Sequence, residues 1–560
     1  MEKILKTLYN SGIYLLISFT LVLITNSIFW ILGLSLLKVS LFISFILSIF
    51  ICIYLLEGNL KNKIISICTS IIVLIISIFI SGNIFDQSYD GNTYHKETIY
   101  MLKEGWNPVY DDYKEFAKDN NLTYQHEIWS EHYPKTTWII AATIYDITNN
   151  IETGKFYNIT FMYITFVLLS YIIYKQFSKK YFSILISLVT VINPITVSQI
   201  LSYYVDGLLG LLLYLSIIYM YLFTKNDKNK LIKIVLASLI IIISNIKFTG
   251  LAYCGLFCLG YYIYYFLKNI KTNNTRLIKN TLYFVFVVII SFLVVGSSSY
   301  LKNTLEHKNP FYPLMGKDKV DIMTFLQPAS FKDMTPIEKN FYSIFSKTAN
   351  IGVFNNGEPV LKIPFTVDSY ELKNINYDTR IGGYGVLFSG IFILSIIFLI
   401  FFIIDLIHKK DKNIIIYVIP LIITILLMIF LSDSWWARYA PQLYLFVLIS
   451  LLLFLKYDNK YLKIVFSVFI TIVLVNSLLC FKTFYYRDLP LSSVSMVELN
   501  KIKNKEINIF LSENGFTGIL ANLKDKNIKY NIISNKNDDM KSLYGNYVYY
   551  SIDNKNYYVK

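Results

Sequence analysis

Charge is scarce in this chain, and arginine scarcer still. Only 16% of the 560 residues are charged, 55% are apolar and the mean hydropathy is +0.49; a soluble protein of this length needs more polar surface to cover its core. Arginine occurs only at Arg276, Arg380, Arg438 and Arg487. The net charge of +15 is carried by lysines scattered between apolar runs. Membrane topology alone requires that distribution, so the charge implies no nucleic-acid partner. The five cysteines (Cys52, Cys68, Cys254, Cys258 and Cys480) lie in or beside apolar runs, which argues against a disulfide framework or a thiolate zinc site. There is no tandem repeat and no low-complexity linker. No small-residue cleavage site follows "MEKILK", so the first apolar run reads as a retained span.

What the chain does have is long apolar stretches, each about the length that crosses ~30 Å of hydrocarbon. They fall near 11–33, 36–56, 64–83, 156–174, 181–200, 207–224, 231–246, 250–267, 281–298, 385–405, 413–431, 440–456 and 462–481. Loops after the even-numbered stretches ("EGNLKNK", "KQFSKK", "TKNDKNK", "HKKDKN") collect the lysines, and a single orientation satisfies that bias. The expectation is an all-α polytopic membrane protein of about 13 transmembrane helices in the cytoplasmic membrane. Its N-terminus is cytoplasmic, its large loops and C-terminus extracytoplasmic. The divisions are 1–83 (three spans), 84–155 (first long loop), 156–298 (membrane core), 299–384 (second long loop), 385–481 (final spans) and 482–560 (a small α/β tail). In the first loop, "YHKETIYMLKEG" and "TTWIIAATIYDI" read as interfacial helices. The tail reads as strand, helix, strand, strand, tethered around "YYRDLPLSS", where Pro490 and the serines interrupt any period.

Two basic residues sit at the face that the lysine bias otherwise avoids: Lys247 in "SNIKFTG" and Arg438 in "SDSWWARYAP". A cation held there needs an anionic partner, and the commonest anion at that depth is a lipid phosphate. Asp86 and Asp90 open the first loop close to the membrane edge, where partial desolvation raises the basicity of a carboxylate. Two aspartates at a helix end are also what solvated caps look like. Asp206 in "SYYVDG" and "NPFYPLMG" at 309–316 reach the same depth. A structural ion pair of Asp206 with Lys247 or Arg438 is the competing explanation of these charges. His95, His126 and His132, with Glu127 and Glu131 among them, match no compact ligand spacing, so no metal is assigned. Trp106, Trp129, Trp138, Trp435 and Trp436 fit an aromatic belt; the last two adjoin Arg438 and also suit sugar stacking.

An acidic motif in the first long external loop, with interfacial helices behind it, resembles the integral-membrane GT-C glycosyltransferases that use polyprenyl-phosphate-linked sugars. The late "ARYAPQLY" is similar to an Arg-Tyr segment followed by proline near the end of their membrane core. The resemblance implies that Asp90 is the base toward the acceptor, that Lys247 and Arg438 hold the donor phosphate, and that transfer is inverting. Asp206, Tyr94, His95, Tyr439, Trp435 and Trp436 would be further substrate contacts. Three spans precede the acidic loop where many family members have one, which leaves Asp86 as the alternative base. "DGNTYH" also lacks the adjacent second acid common in the family. No cofactor is obligatory, because the leaving phosphate needs no metal. The partners implied are the lipid bilayer, a polyprenyl-phosphate-linked sugar donor and a glycan, polymer, lipid or protein acceptor. A polymerase or ligase using lipid-pyrophosphate glycans, and a lipid-linked glycan flippase or transporter, are the alternatives.

Overall fold

The computed structural model describes residues 2–271, 274–321, 326–352, 357–512 and 515–552. Among them, nine helices are long and apolar enough to cross a membrane: Glu2–Ile31, Leu37–Leu55, Leu60–Gly82, Ile151–Phe177, Asp206–Lys225, Phe248–Asn269, Asn274–Val295, Phe388–His408 and Lys460–Lys501. Four of the thirteen expected stretches form shorter helices. Lys180–Val191, Ile414–Phe430 and Pro441–Phe454 are three of them, and Lys230–Ser244 is the fourth. The stretch at 181–200 is cut because Pro194 cannot continue a helix. Asn193 then caps a new short helix, accepting from Thr196 N–H at 3.1 Å.

Burial separates a central bundle from its periphery. Glu2–Ile31 and Asp206–Lys225 are enclosed, whereas Leu37–Leu55, Leu60–Gly82 and Asn274–Val295 present Phe42, Phe50, Ile72, Phe79, Leu282 and Phe286 outward. Continuous apolar faces of this kind are untenable in water and at home in lipid. Small hydroxyl residues hold the bundle together where helices touch. Ser40, Ser44 and Ser48 lie on one buried stripe and meet Asn26, Thr25 and Ser18 at 2.8, 3.2 and 2.7 Å. Such close, hydrogen-bonded contact replaces the hydrophobic drive that lipid removes.

The tether expected around 485–493 is absent. Lys460–Lys501 is one helix of 42 residues with Pro490 inside it. Phe484, Asp488, Ser492, Ser495 and Leu499 are its buried residues beyond the membrane stretch and continue from Cys480 within it; their three- and four-residue spacing makes one helical stripe. The first loop meets that stripe at its serines: Phe85 N–H donates to Ser492 Oγ at 2.6 Å and Gln87 Nε2 to Ser495 Oγ at 3.2 Å. The serines that read as a break are thus an interface.

The helix delivers the chain to a four-stranded sheet of β1 (Glu506–Leu511), β2 (Lys529–Ile532), β3 (Lys541–Tyr544) and β4 (Val548–Ile552), in the order β2-β1-β4-β3. β1 and β2 are parallel, joined through the helix Ile519–Asp525; the other pairs are antiparallel. Three of these strands and the helix match the expected pattern, and β3 is additional. The tail sits on the first loop. Gly518 N–H donates to Asn92 C=O at 3.0 Å, and a Cβ at Gly518 would lie 2.7 Å from that oxygen, so only glycine permits the approach. Asp525 accepts from Tyr145 Oη and Ile151 N–H, both at 2.6 Å. The "TTWIIAATIYDI" segment forms the helix Thr136–Thr148, and its residues Thr136 to Tyr145 are buried in the fold.

Candidate functional site

The turn after the third long helix sorts the two aspartates. Asp86 is fully buried, and its carboxylate accepts from Ser88 N–H (2.8 Å), Ser88 Oγ (2.9 Å) and Tyr203 N–H (3.0 Å). Those bonds organise the loop and leave Asp86 turned away from the two cations; burial pushes its pKa up. A Cβ at Gly91 would fall 1.9 Å from Asp86 Oδ2, so glycine is required where the chain folds over this carboxylate. Gly91–His95 is then wound in a wide turn in which Lys96 N–H donates to Gly91 C=O. Such widened turns re-aim side chains at functional sites. Asp90 faces the opposite way from Asp86, with Oδ2 3.0 Å from Arg438 Nη2 and 3.4 Å from Tyr94 Oη.

Arg438 is the hub. It sits on the short turn Ala437–Tyr439 and is only 7% exposed. Its Nε donates to Asp206 Oδ2 at 2.9 Å, its Nη1 to Asp378 Oδ1 and its Nη2 to Asp90 Oδ2. One planar fork therefore meets three carboxylates from three segments, a geometry an ammonium cannot reproduce. Tyr204, Trp436 and Tyr439 surround the guanidinium, with ring centres 4.4, 5.3 and 5.4 Å away. Asp206 opens the helix Asp206–Lys225, where an anion is favoured by the helix dipole. Its other oxygen accepts from Lys247 Nζ at 2.8 Å, and Lys247 lies 4.1 Å over the Tyr439 ring.

The electrostatics follow from burial and pairing together. Burial alone would lower the pKa of Lys247, and the Asp206 carboxylate reverses that to a net rise. Arg438 is treated the same way by burial and by Asp206 and Asp378, ending well above its ordinary value. Both cations are held charged. Burial raises the pKa of Asp378 against the opposing pull of Arg438. His95 goes the other way: burial drops it to about 4 despite the nearby Asp90 and Asp206. Trp138 Nε1–H donates to His95 Nδ1 at 2.6 Å, which leaves the imidazole proton on Nε2. His95 is a neutral wall residue of a small pocket that Tyr94, Tyr133, Trp138, Lys247 and Arg438 also line.

Asp90, Asp206, Lys247, Arg438, Tyr94, His95 and Tyr439 are thus brought together. Asp86 is four residues from Asp90 in sequence and has separate partners. Trp435 and Trp436 stack on each other at 5.6 Å and are buried against the second loop rather than displayed as a belt. Trp436 donates to Thr379 C=O at 3.2 Å, and Trp435 meets Phe331 edge-on. Asp378 and Tyr204 escaped the sequence. Asp378 lies in "NYDTRIGG", held by a turn in which its N–H donates to Asn376 Oδ1 at 2.8 Å; its only sequence signal is the Asp and Arg two residues apart in a loop rich in glycine. A buried network was missed as well: Glu152 binds Lys96 at 2.6 Å and also Lys155, with Asn522 of the tail 3.0 Å from Lys96.

The histidines of the first loop diverge. His126 Nε2 meets Gly515 C=O of the tail at 2.6 Å, whereas His132 turns toward Asn303 and His307. Glu127 pairs with Lys114 at 3.1 Å and Glu131 with Lys302 at 2.6 Å. No family model and no curated protein matches this chain.

Proposed function

We propose that this protein is a GT-C-type membrane glycosyltransferase of about thirteen spans, transferring a sugar from a polyprenyl-phosphate-linked donor to a cell-envelope acceptor on the extracytoplasmic face. The observation that carries this is the position of Asp90, 3.0 Å from Arg438, which also binds Asp206 of the Lys247–Asp206 pair and, with Lys247, lines a small aromatic pocket. Asp90 takes the proton of the acceptor hydroxyl as its oxygen attacks the anomeric carbon. The bond from that carbon to the phosphate oxygen breaks, and the lipid phosphate leaves with the electron pair. Lys247 and Arg438 neutralise the charge that develops on it, in surroundings where fixed cations act more strongly than in water.

The cations retain capacity for that task. A guanidinium has five N–H donors and an ammonium three, while Arg438 gives three to carboxylates and Lys247 one. Asp206 and Asp378 keep both side chains aimed and charged before the donor arrives, which is preorganisation rather than competition. A polymerase or ligase would use the same cations without a carboxylate base. Mass analysis of envelope glycans from cells with and without the gene tests the function: loss of one sugar substituent is expected. An unchanged glycan profile, or loss of a whole polymer with its repeat unit accumulating on lipid, would replace the transferase assignment.

A further inference from the structure

Outside the Arg438 cluster, two segments far apart in sequence bring a second set of chemistry-bearing side chains together. His132 ends the helix Glu127–His132 of the first loop, and Glu306 and His307 end the helix Lys302–His307 of the second. One potential ligand atom from each of these three residues lies within 4.8 Å of the others. We infer that His132, Glu306 and His307 form a binding site for a divalent transition metal of the zinc class, stapling the first and second loops to each other. The inference stands apart from the transferase assignment.

The hydrogen bonding around His132 is what a metal ligand requires. Asn303 Nδ2 donates to the carbonyls of His132 (3.0 Å) and Tyr312 (2.8 Å), which fixes the amide so that Oδ1 is an acceptor. His132 Nδ1, 2.8 Å from that oxygen, must therefore be the donor. The proton sits on Nδ1 and the lone pair on Nε2. An imidazole anchored through one nitrogen with the other free to coordinate is the usual arrangement of a ligating histidine. The second imidazole is also oriented, since the His307 ring stacks on Tyr312 at 3.6 Å and 7° and meets His132 edge-on at 4.9 Å. Lys302, the nearest cation on the same helix, is held by Glu131 at 2.6 Å and does not compete for the site.

Two imidazoles and one carboxylate form a ligand set that suits zinc, with water completing the coordination. Glu306 is exposed and His307 half-buried, so water and metal have access, while His132 is buried and rigid. The metal would also fix Tyr133, the next residue, in the wall of the cavity beside Lys247 and Arg438.

The test uses full-length protein in detergent, purified with a tag free of histidine and stripped with a chelator, then titrated with Zn²⁺ and with Co²⁺. About one equivalent per chain is expected, with a rise in melting temperature and visible d–d absorption from Co²⁺. His307→Ala and Glu306→Gln, both away from the buried anchor, should weaken binding by about 100-fold or more; Asn303→Ala, which leaves the ligands in place, should weaken it roughly 10–100-fold. His126→Ala and His408→Ala should bind as the unmodified chain does. No stoichiometric binding, or binding unchanged in His307→Ala and Glu306→Gln, would overturn the inference.

Discussion

Replacing Asp206 with asparagine removes one negative charge from a position that two buried cations share. Asp206 is 1% exposed, Lys247 is 13% exposed at its side chain, and their charged atoms are 2.8 Å apart. At an effective dielectric constant of 20 that attraction is about 6 kcal/mol before the cost of desolvating both groups. Breaking a buried pair by deleting one partner costs about 3–5 kcal/mol, because the remaining charge stays buried and uncompensated. Arg438 keeps Asp90 and Asp378, so Lys247 bears most of the loss and Asp206→Asn should fall at the lower end, ~3 kcal/mol. Adding Lys247→Met removes the stranded cation and should restore part of the stability, giving a coupling energy of about 1.5 kcal/mol or more. Unfolding of the four proteins in mixed micelles with increasing SDS measures the cycle. Strictly additive effects would show that the two residues are not a charge pair and would refute the reasoning.

Three further outcomes follow from the same contacts. Arg438→Lys keeps the charge and cannot reach three carboxylates; losing one or two charge-assisted hydrogen bonds should lower transfer roughly 10–100-fold while the protein still folds, as read by turnover and size-exclusion behaviour. His95 carries a pH dependence. Its folded pKa of about 4 lies below the ordinary 6.5, so the unfolded chain takes up the proton first and stability is lost as pH falls from about 6.5 to 4. The loss reaches up to ~3 kcal/mol, and His95→Asn should flatten the melting temperature across that window. For topology, cysteines replacing the exposed Asn120, Lys332 and Asn537 should react with an impermeant reagent in intact cells; labelling only after permeabilisation would reverse the orientation.

How much of this was legible in the sequence depends on whether the signal was local. Apolar length marks a helix without reference to the rest of the chain, so the long helices and three of the four tail strands could be read directly. Lys247, Asp206, Arg438 and Asp90 stood out because each is a charge beside an apolar run, where its presence demands a partner. Asp378 and the Lys96–Glu152–Lys155 network lie in polar loops, where a charge is unremarkable until folding buries it. The continuity of the last helix was hidden because Pro490 and the serines carry turn propensity, and only the tertiary stripe from Cys480 to Leu499 overrides it. The different partners of Asp86 and Asp90 rest on which way a wide turn faces, a property of backbone geometry that four residues of spacing do not encode.

The central claim is that Asp90 is a base beside a phosphate held by Lys247 and Arg438, and turnover and donor binding of Asp90→Asn test it most directly. The amide keeps the shape and can still accept a hydrogen bond from Arg438, yet it cannot take a proton. Turnover with a polyprenyl-phosphate-sugar donor should fall about 10²–10⁴-fold, with donor affinity preserved or improved because one carboxylate no longer claims the guanidinium. Full activity in Asp90→Asn, or donor binding lost in proportion to turnover, would contradict the account.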